Sequence, residues 1–194
     1  MDVDLRIVVI DKNPLRAAIL RDGLREAGHC EVIHIDDTSD ILARVNALTP
    51  DVIIIDLESP SRDVLEQMFE VSRTMDRPIA MFVDNSDTSM INAAIDAGVS
   101  AYIVDGLRKE RIKPILDVTI RRFNAFMKLK EELESTKLQL EDRKAIDRAK
   151  AIVMKAKSIP EEQAYAMMRK TAMNENKKIA DIARSIITAA ELLR

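Results

Sequence analysis

The 194 residues include one cysteine, two histidines and no tryptophan, and aromatic residues make up 3% of the chain. A single thiol, Cys30, cannot close a disulfide within the chain, and no CxxC or Cys/His cluster is present to hold zinc. Cys30 reads as a small buried hydrophobe, and His29 and His34 lack a further ligand at metal spacing. There is no phosphate-binding glycine loop and no Ser/His/Asp or Cys/His arrangement, so nothing in the sequence supports an enzyme, a resident metal or a cofactor. The opening MDVDLRIVV lacks the basic stretch and apolar run of a secretory leader. No apolar run approaches the roughly 20 residues that cross a bilayer, so a cytoplasmic chain without a membrane partner is expected.

Glycine is scarce and unevenly placed. The four glycines are Gly23, Gly28, Gly98 and Gly106, and none follows. A long glycine-free stretch suits helices, whereas the first part of the chain carries the punctuation of alternating elements. Charge is divided along the same line. From Arg143 onward there are 12 Lys and Arg against 6 Asp and Glu, a net of +6. Subtracting these from the totals of 30 and 33 leaves 18 against 27 before it, a net of −9. A basic end on an acidic front points towards a polyanionic partner for that end.

In the front part, β-rich runs Leu5–Ile10, Val32–Ile35, Val52–Ile55, Ile79–Val83 and Tyr102–Val104 alternate with segments of helical period. One helix fits between each pair, the pattern of a parallel sheet covered on both faces. Pro14 suits a first helical turn, Gly28 and Gly98 suit helix C-terminal stops, and Ser39 with Asp40 suits a cap on the second helix. In such folds ligands gather beyond the C-terminal strand ends. Asp11, Asp56, Asp84 and Asp105 are expected there, after the first, third, fourth and fifth strands, as an acidic rim.

The segments IVVIDKNPLR, PDVIIIDLESP with Pro60 in it, RPIAMFVD and AGVSAYIVDGL resemble the receiver domain of bacterial response regulators over residues 1–120. The resemblance implies a flavodoxin-like sheet of five parallel strands in the order 2-1-3-4-5, with Asp56 at the phosphoacceptor position. Phosphoryl transfer there depends on Mg²⁺ held by carboxylates and on groups that neutralise the phosphoryl oxygens. The sequence departs from the pattern at three supports. Lys12 follows Asp11 where the family has a second acid, Asp84 replaces a Ser or Thr, and Asp105 replaces a Lys. A phosphoryl group would meet anions in place of a hydroxyl and an ammonium, which is repulsive in a partly desolvated site. The domain is therefore expected to be a pseudo-receiver with Asp56 vestigial; Mg²⁺ is the one ion its acidic rim could attract.

Residues 107–157 contain one proline, Pro114, which an early helical turn tolerates, and a helix of that length spans about 75 Å. Ile112, Leu116, Thr119, Phe123 and Phe126 step by 4, 3, 4 and 3, and Leu129, Leu133, Thr136 and Leu140 by 4, 3 and 4. Two heptad seams with a register change between them predict a connector over residues 107–145 that pairs as a homodimeric coiled coil.

Beyond it, Ser158 and Glu161 read as a capping box with Pro160 in the first turn of a helix, and Asn176 as the cap of another running from Lys177. Ile146, Val153, Ala164, Met168, Ile179, Ile182 and Ile186 recur at helical spacing, which predicts three short helices. Met154, Met167, Met168, Met173 and Tyr165 read as packing residues, and Ala149, Ala151 and Ala172 as sites of close approach.

AIDRAKAIVMK followed by EEQAYAMMRKTAMNENKKIADIA resembles the ANTAR domain over residues 140–194, and the order of parts resembles antitermination regulators of the AmiR/NasT type, above all those of nitrate assimilation. The resemblance implies an all-α three-helix module that binds nascent mRNA leaders with two hexaloop hairpins and prevents the terminator from forming. It also implies control by an inducer-sensing partner related to periplasmic binding proteins. Lys150, Arg169, Lys170, Lys177 and Lys178 supply cations for phosphates, and Asn174 and Asn176 amide groups. The competing readings are a phosphorylation-controlled regulator acting on DNA, disfavoured by the apolar and acidic third helix IADIARSIITAAELLR, and an adaptor acting by protein contacts.

Overall fold

Short apolar runs with helical segments between them leave each strand few options: its backbone must pair in parallel, and both faces need cover. The computed structural model describes residues 4–58 and 61–192 and shows this solution. The chain divides into two compact units, residues 1–127 and 128–194.

In the first unit, β1 (Ile7–Ile10), β2 (Val32–Ile35), β3 (Val52–Leu57), β4 (Ile79–Val83) and β5 (Ala101–Val104) form one parallel sheet in the order β2-β1-β3-β4-β5. Ile7 pairs with Val32 on one side and Val52 on the other, and Asp56 pairs with Phe82. Alternate residues of each strand face opposite layers. Val8, Ile10, Ile53 and Ile55 pack under α2 (Ile41–Leu48), α3 (Arg62–Thr74) and α4 (Thr88–Asp96). Ile7, Val9, Ile54 and Phe82 pack with Leu20 and Leu24 of α1 (Pro14–Glu26) and with Ile112 and Leu116 of α5 (Lys109–Lys157). The strand boundaries move slightly from the expected ones. Asp56 is the fifth residue of β3 itself, because β4 continues to pair with it up to Leu57.

Local signals divide into those that act as expected and those that do not. Pro14 begins α1, with the Asn13 side chain accepting from the backbone N–H of Leu15 and Arg16. Gly28 and Gly98 follow α1 and α4 at φ +98 and +85, a conformation that a Cβ disfavours. Asp40 stands at the start of α2 with φ 48 and makes no side-chain cap, so the expected Ser39–Asp40 cap does not form. Ser39 is instead drawn to the Asp37 carboxylate through its own N–H and hydroxyl. Cys30 is exposed rather than buried. Pro60 lies outside the described residues.

α5 runs unbroken from Lys109 to Lys157 with Pro114 inside it, so the connector and the first helix of the C-terminal unit are one element. In its first turns Ile112, Leu116 and Thr119 are buried within the first unit. That part of the first heptad run therefore covers the sheet and is not a dimer seam. Residues 128–141 are exposed throughout.

The second unit packs the end of α5 with α6 (Glu161–Glu175) and α7 (Ile179–Leu192). Ala149, Met168 and Ala183 form the buried centre, with Ala145, Ile146, Val153, Ile179, Ile186 and Ile187 around it. Alanines at the contacts allow the helices to approach closely: Ala164, Ala172 and Ala180 are buried too, while Ala151 is exposed. Of the methionines expected in the core, Met168 is buried and Met154 half-buried, but Met167 and Met173 are exposed, as is Tyr165. Ser158 takes φ 51 in the turn before α6, and Pro160, not Ser158, occupies the N-cap position without a side-chain bond. The capping box is thus absent, because the turn uses Ser158 for its left-handed residue. Asn176 caps the C-terminus of α6 in the left-handed region, φ 52, and does not start α7, which begins at Ile179.

Candidate functional site

The C-terminal ends of β1, β3 and β4 place Asp11, Asp56 and Asp84 around one guanidinium, that of Arg16 in the first turn of α1. Arg16 Nε donates to Asp56 Oδ2 at 2.7 Å and Nη2 donates to Asp56 Oδ1 at 2.6 Å. Nη1 donates to Asp84 Oδ1 at 2.7 Å. The Asp56 side chain is fully buried and that of Arg16 is 18% exposed. A bidentate pair with a second carboxylate on the remaining nitrogen uses the planar fork of arginine in a way that a lysine could not match.

Burial pushes the Asp56 carboxyl above the ordinary aspartate range, offset in part by the hydrogen bonds from Arg16. The same pair holds the Arg16 guanidinium more firmly protonated than usual, chiefly through the Asp56 hydrogen bond. Asp11 is 3% exposed, and burial raises its carboxyl to about 6 against an ordinary value of 3.8. Its Oδ1 accepts from the Asn13 backbone N–H at 2.7 Å, whereas Oδ2 is buried with no hydrogen-bond partner among the described residues. His34 Nε2 lies 2.8 Å from the Asp11 carbonyl oxygen, and the Asn13 side-chain amide donates to Glu58 Oε1. A cavity of about 770 Å³ opens beside this rim, lined by Asp11, Lys12, Asn13, Asp56, Glu58 and Ser61 among others.

Of the expected rim, the structure brings together Asp11, Asp56 and Asp84. Asp105 is exposed at φ 47 and makes no side-chain bond among the described residues, although its backbone N–H donates to the Val83 carbonyl oxygen. Arg16 was not singled out from the sequence. The available signal was charge balance: Asp84 beside a buried Asp56 requires a cation within reach, and Arg16 is two residues into the helix that follows Asp11. Its presence corrects the expectation that a phosphoryl group at Asp56 would meet only anions.

The residues do not fit the Mg²⁺ that receiver chemistry employs. Both oxygens of Asp56 are taken by Arg16, Lys12 stands beside Asp11, and no group of three or more His, Cys, Asp or Glu is gathered for a metal ion among the described residues.

The second unit presents the other expected site residues. Arg169 and Lys170 on α6 and Lys178 in the turn before α7 are exposed, and their side chains make no hydrogen bond or ion pair among the described residues. Asn174 is exposed on the last turn of α6, and Asn176 follows it as the left-handed cap. Lys177 pairs with Glu175 at 2.8 Å. Lys150 is set apart from this group: its Nζ lies 2.7 Å from Asp147 and 2.6 Å from Glu161, and its side chain is 17% exposed. The expected phosphate-binding cation at 150 is a tie between α5 and the first turn of α6.

Two family models match the chain: the response regulator receiver domain over residues 7–117 and the ANTAR domain over residues 129–187. The chain is an ANTAR-domain response regulator. The transcriptional regulatory protein PdtaR of Mycobacterium tuberculosis is 25% identical over 183 residues, 93% of this chain and 89% of the relative. The nitrate regulatory protein of Klebsiella oxytoca is 35% identical over 82 residues, 42% of this chain and 21% of that longer protein. Among solved structures, the signal receiver domain of a modulated diguanylate cyclase from Desulfovibrio desulfuricans aligns with a TM-score of 0.54 at 16% identity, covering 62% of this chain and 97% of that one. A response regulator from Thermotoga maritima aligns at 0.52, also at 16%, covering 59% and 96%. These likenesses show the fold of the first unit. No helix of the ANTAR-domain regulator, among its described residues, is long and apolar enough to cross a membrane.

Proposed function

We propose that this regulator is an RNA-binding transcription antiterminator. In this reading the ANTAR unit binds paired hexaloop stem-loops in a nascent mRNA leader and so prevents the terminator hairpin from forming. The supporting observation is that Arg169, Lys170 and Lys178 are exposed cations whose side chains have no partner among the described residues, with exposed Asn174 and Asn176 at the end of α6. Cations free of internal ion pairs bind phosphates without first giving up a partner, and exposed amides can read the edges of unpaired bases. Exposed Tyr165 adds an aromatic face that the sequence pattern assigned to packing.

The regulator acts as a homodimer through residues 128–141, where Leu129, Leu133 and Leu140 are each more than half exposed along the second heptad run. A leader with two hairpins matches a protein with two ANTAR units. An inducer-sensing protein partner, in place of phosphorylation, controls access to the RNA, and a nitrate or nitrite response agrees with the similarity to the Klebsiella protein.

The decisive experiment titrates the full chain against a two-hexaloop RNA and against duplex DNA at two salt concentrations. Tight, salt-dependent binding to the RNA alone is expected; equal or preferential DNA binding selects the alternative of a DNA-acting regulator, and no nucleic-acid binding selects an adaptor. Arg169→Ala should weaken RNA binding by about tenfold with unchanged helicity, whereas Lys150→Ala should affect it much less.

A further inference from the structure

In the receiver unit, the carboxylates of Asp56 and Asp84 meet on a single cation, Arg16, whose charge also acts on the buried Asp11. We propose that Arg16 is the resident counter-ion of this site, standing where a receiver holds its divalent cation and phosphoryl group, so that the native chain takes up no divalent cation there and needs none. The proposal rests on the first unit alone and is independent of RNA binding.

The geometry supports it in three ways. First, the guanidinium uses Nε and Nη2 on the two oxygens of Asp56, at 2.7 and 2.6 Å, leaving neither oxygen free of a strong donor. A metal or an electrophile would have to break a bidentate, largely desolvated pair to reach them. Second, Nη1 reaches Asp84 at 2.7 Å, so one side chain of α1 fastens the end of β3 to the residue that follows β4. Two residues on, Ser86 Oγ lies 2.9 Å from Tyr102 Oη on β5, which continues the connection across the C-terminal edge of the sheet. Third, the substitutions make sense as a set. An acid at 84 would repel a phosphorylated or metal-free Asp56, but it is a fitting second partner for an arginine, and Lys12, not a second acid, follows Asp11 on the wall of the same cavity. With Lys12 in place of the second acid and Asp84 in place of the hydroxyl, the Arg16 guanidinium supplies as a covalently attached cation what a diffusible one would otherwise supply.

Removing the side chain tests this. Without Arg16, the buried Asp56 carboxylate and Asp84 are left without their cation. The full-length parent chain, Arg16→Ala and Arg16→Gln are melted with and without millimolar MgCl₂ or MnCl₂, and Mn²⁺ binding is followed separately by water-proton relaxation. The parent should show no divalent-dependent change in melting temperature and no Mn²⁺ binding. The variants should melt lower than the parent without metal and recover about 4 °C or more with it, and the recovery should vanish in Arg16→Ala/Asp56→Asn. A variant that folds only when Mg²⁺ is present supports the proposal equally. Mn²⁺ binding by the parent that Asp56→Asn abolishes would overturn it. So would variants that gain no divalent response, whether they fold or remain unfolded in metal, because Arg16 would then be a packing residue whose charge no ion replaces.

Discussion

Asp11 shows how one buried residue makes stability depend on pH. Desolvation lifts its carboxyl to about 6, against 3.8 in the open chain, with the hydrogen bond from the Asn13 N–H pulling the other way and the Asp56 charge adding to the rise. Between about pH 4 and 6 the native state therefore retains a proton that the unfolded chain releases. Stability from this group falls as pH rises through that window and is level above it. Asp56, also lifted by burial, contributes a slope of the same sign. Asp11→Asn removes the cost of charging a buried oxygen, so the variant should be more stable than the parent at pH 7 by about 1 to 3 kcal/mol, with the gain shrinking towards pH 4. Urea unfolding midpoints at pH 4.5, 5.5 and 7 measure it; a pH-independent difference would mean that Asp11 does not titrate in this range. The acidic residues of the rim could be named from their places after apolar strands. Their environments could not: nothing in the local sequence tells Asp11, buried with an idle oxygen, from Asp105, which is exposed.

At the scale of elements, Gly23 sets how α5 lies on α1. A Cβ on Gly23 would stand 2.7 Å from Ile112 Cγ1 and 3.2 Å from the Lys109 carbonyl oxygen, so the absence of a side chain is what lets α5 lie on α1. Gly23→Ala should cost about 1 to 3 kcal/mol by thermal or urea unfolding, although alanine is the better helix former at an exposed site. The same glycine carried no signal in the sequence, because a glycine inside a helical pattern reads only as a weakness. Helix starts were similarly hard to read. Ser39–Asp40 and Ser158–Glu161 have the composition of caps, but in both turns the chain reserves a residue for the left-handed region, and Ser39 and Glu161 turn to other partners. Glu161 in particular serves Lys150. Strands were easier, since an apolar run buried on both faces has little freedom in where it lies.

For the whole molecule, the proposed homodimer turns on the exposed leucines of residues 128–141. A heptad stripe open to water along four turns of helix suits a partner surface, and a second copy would supply an identical stripe. Leu133→Asp should leave both compact units folded and shift the chain from dimer to monomer in sedimentation at micromolar concentration. In the RNA-binding reading it should also weaken binding to a two-hairpin leader far more than to a single hairpin, because the second contact no longer follows from the first. A monomeric parent at all concentrations would refute the seam as a homodimer interface. The charge division from acidic front to basic end was plain in the sequence, and the basic part, from Arg143 onward, lies wholly within the three-helix unit.

The sequence by itself determined a sheet of five parallel strands and a long glycine-free helix, because these rest on periodicity and spacing, and its motifs carried the resemblance that implied the strand order and the kinship with ANTAR-domain response regulators. Tertiary structure alone decided which charges are free and which are spent. Arg16 is forty residues from Asp56 and sixty-eight from Asp84 along the chain, and Lys150 is eleven from Glu161. Ion pairs depend on distance in space and on loss of water, and folding sets both.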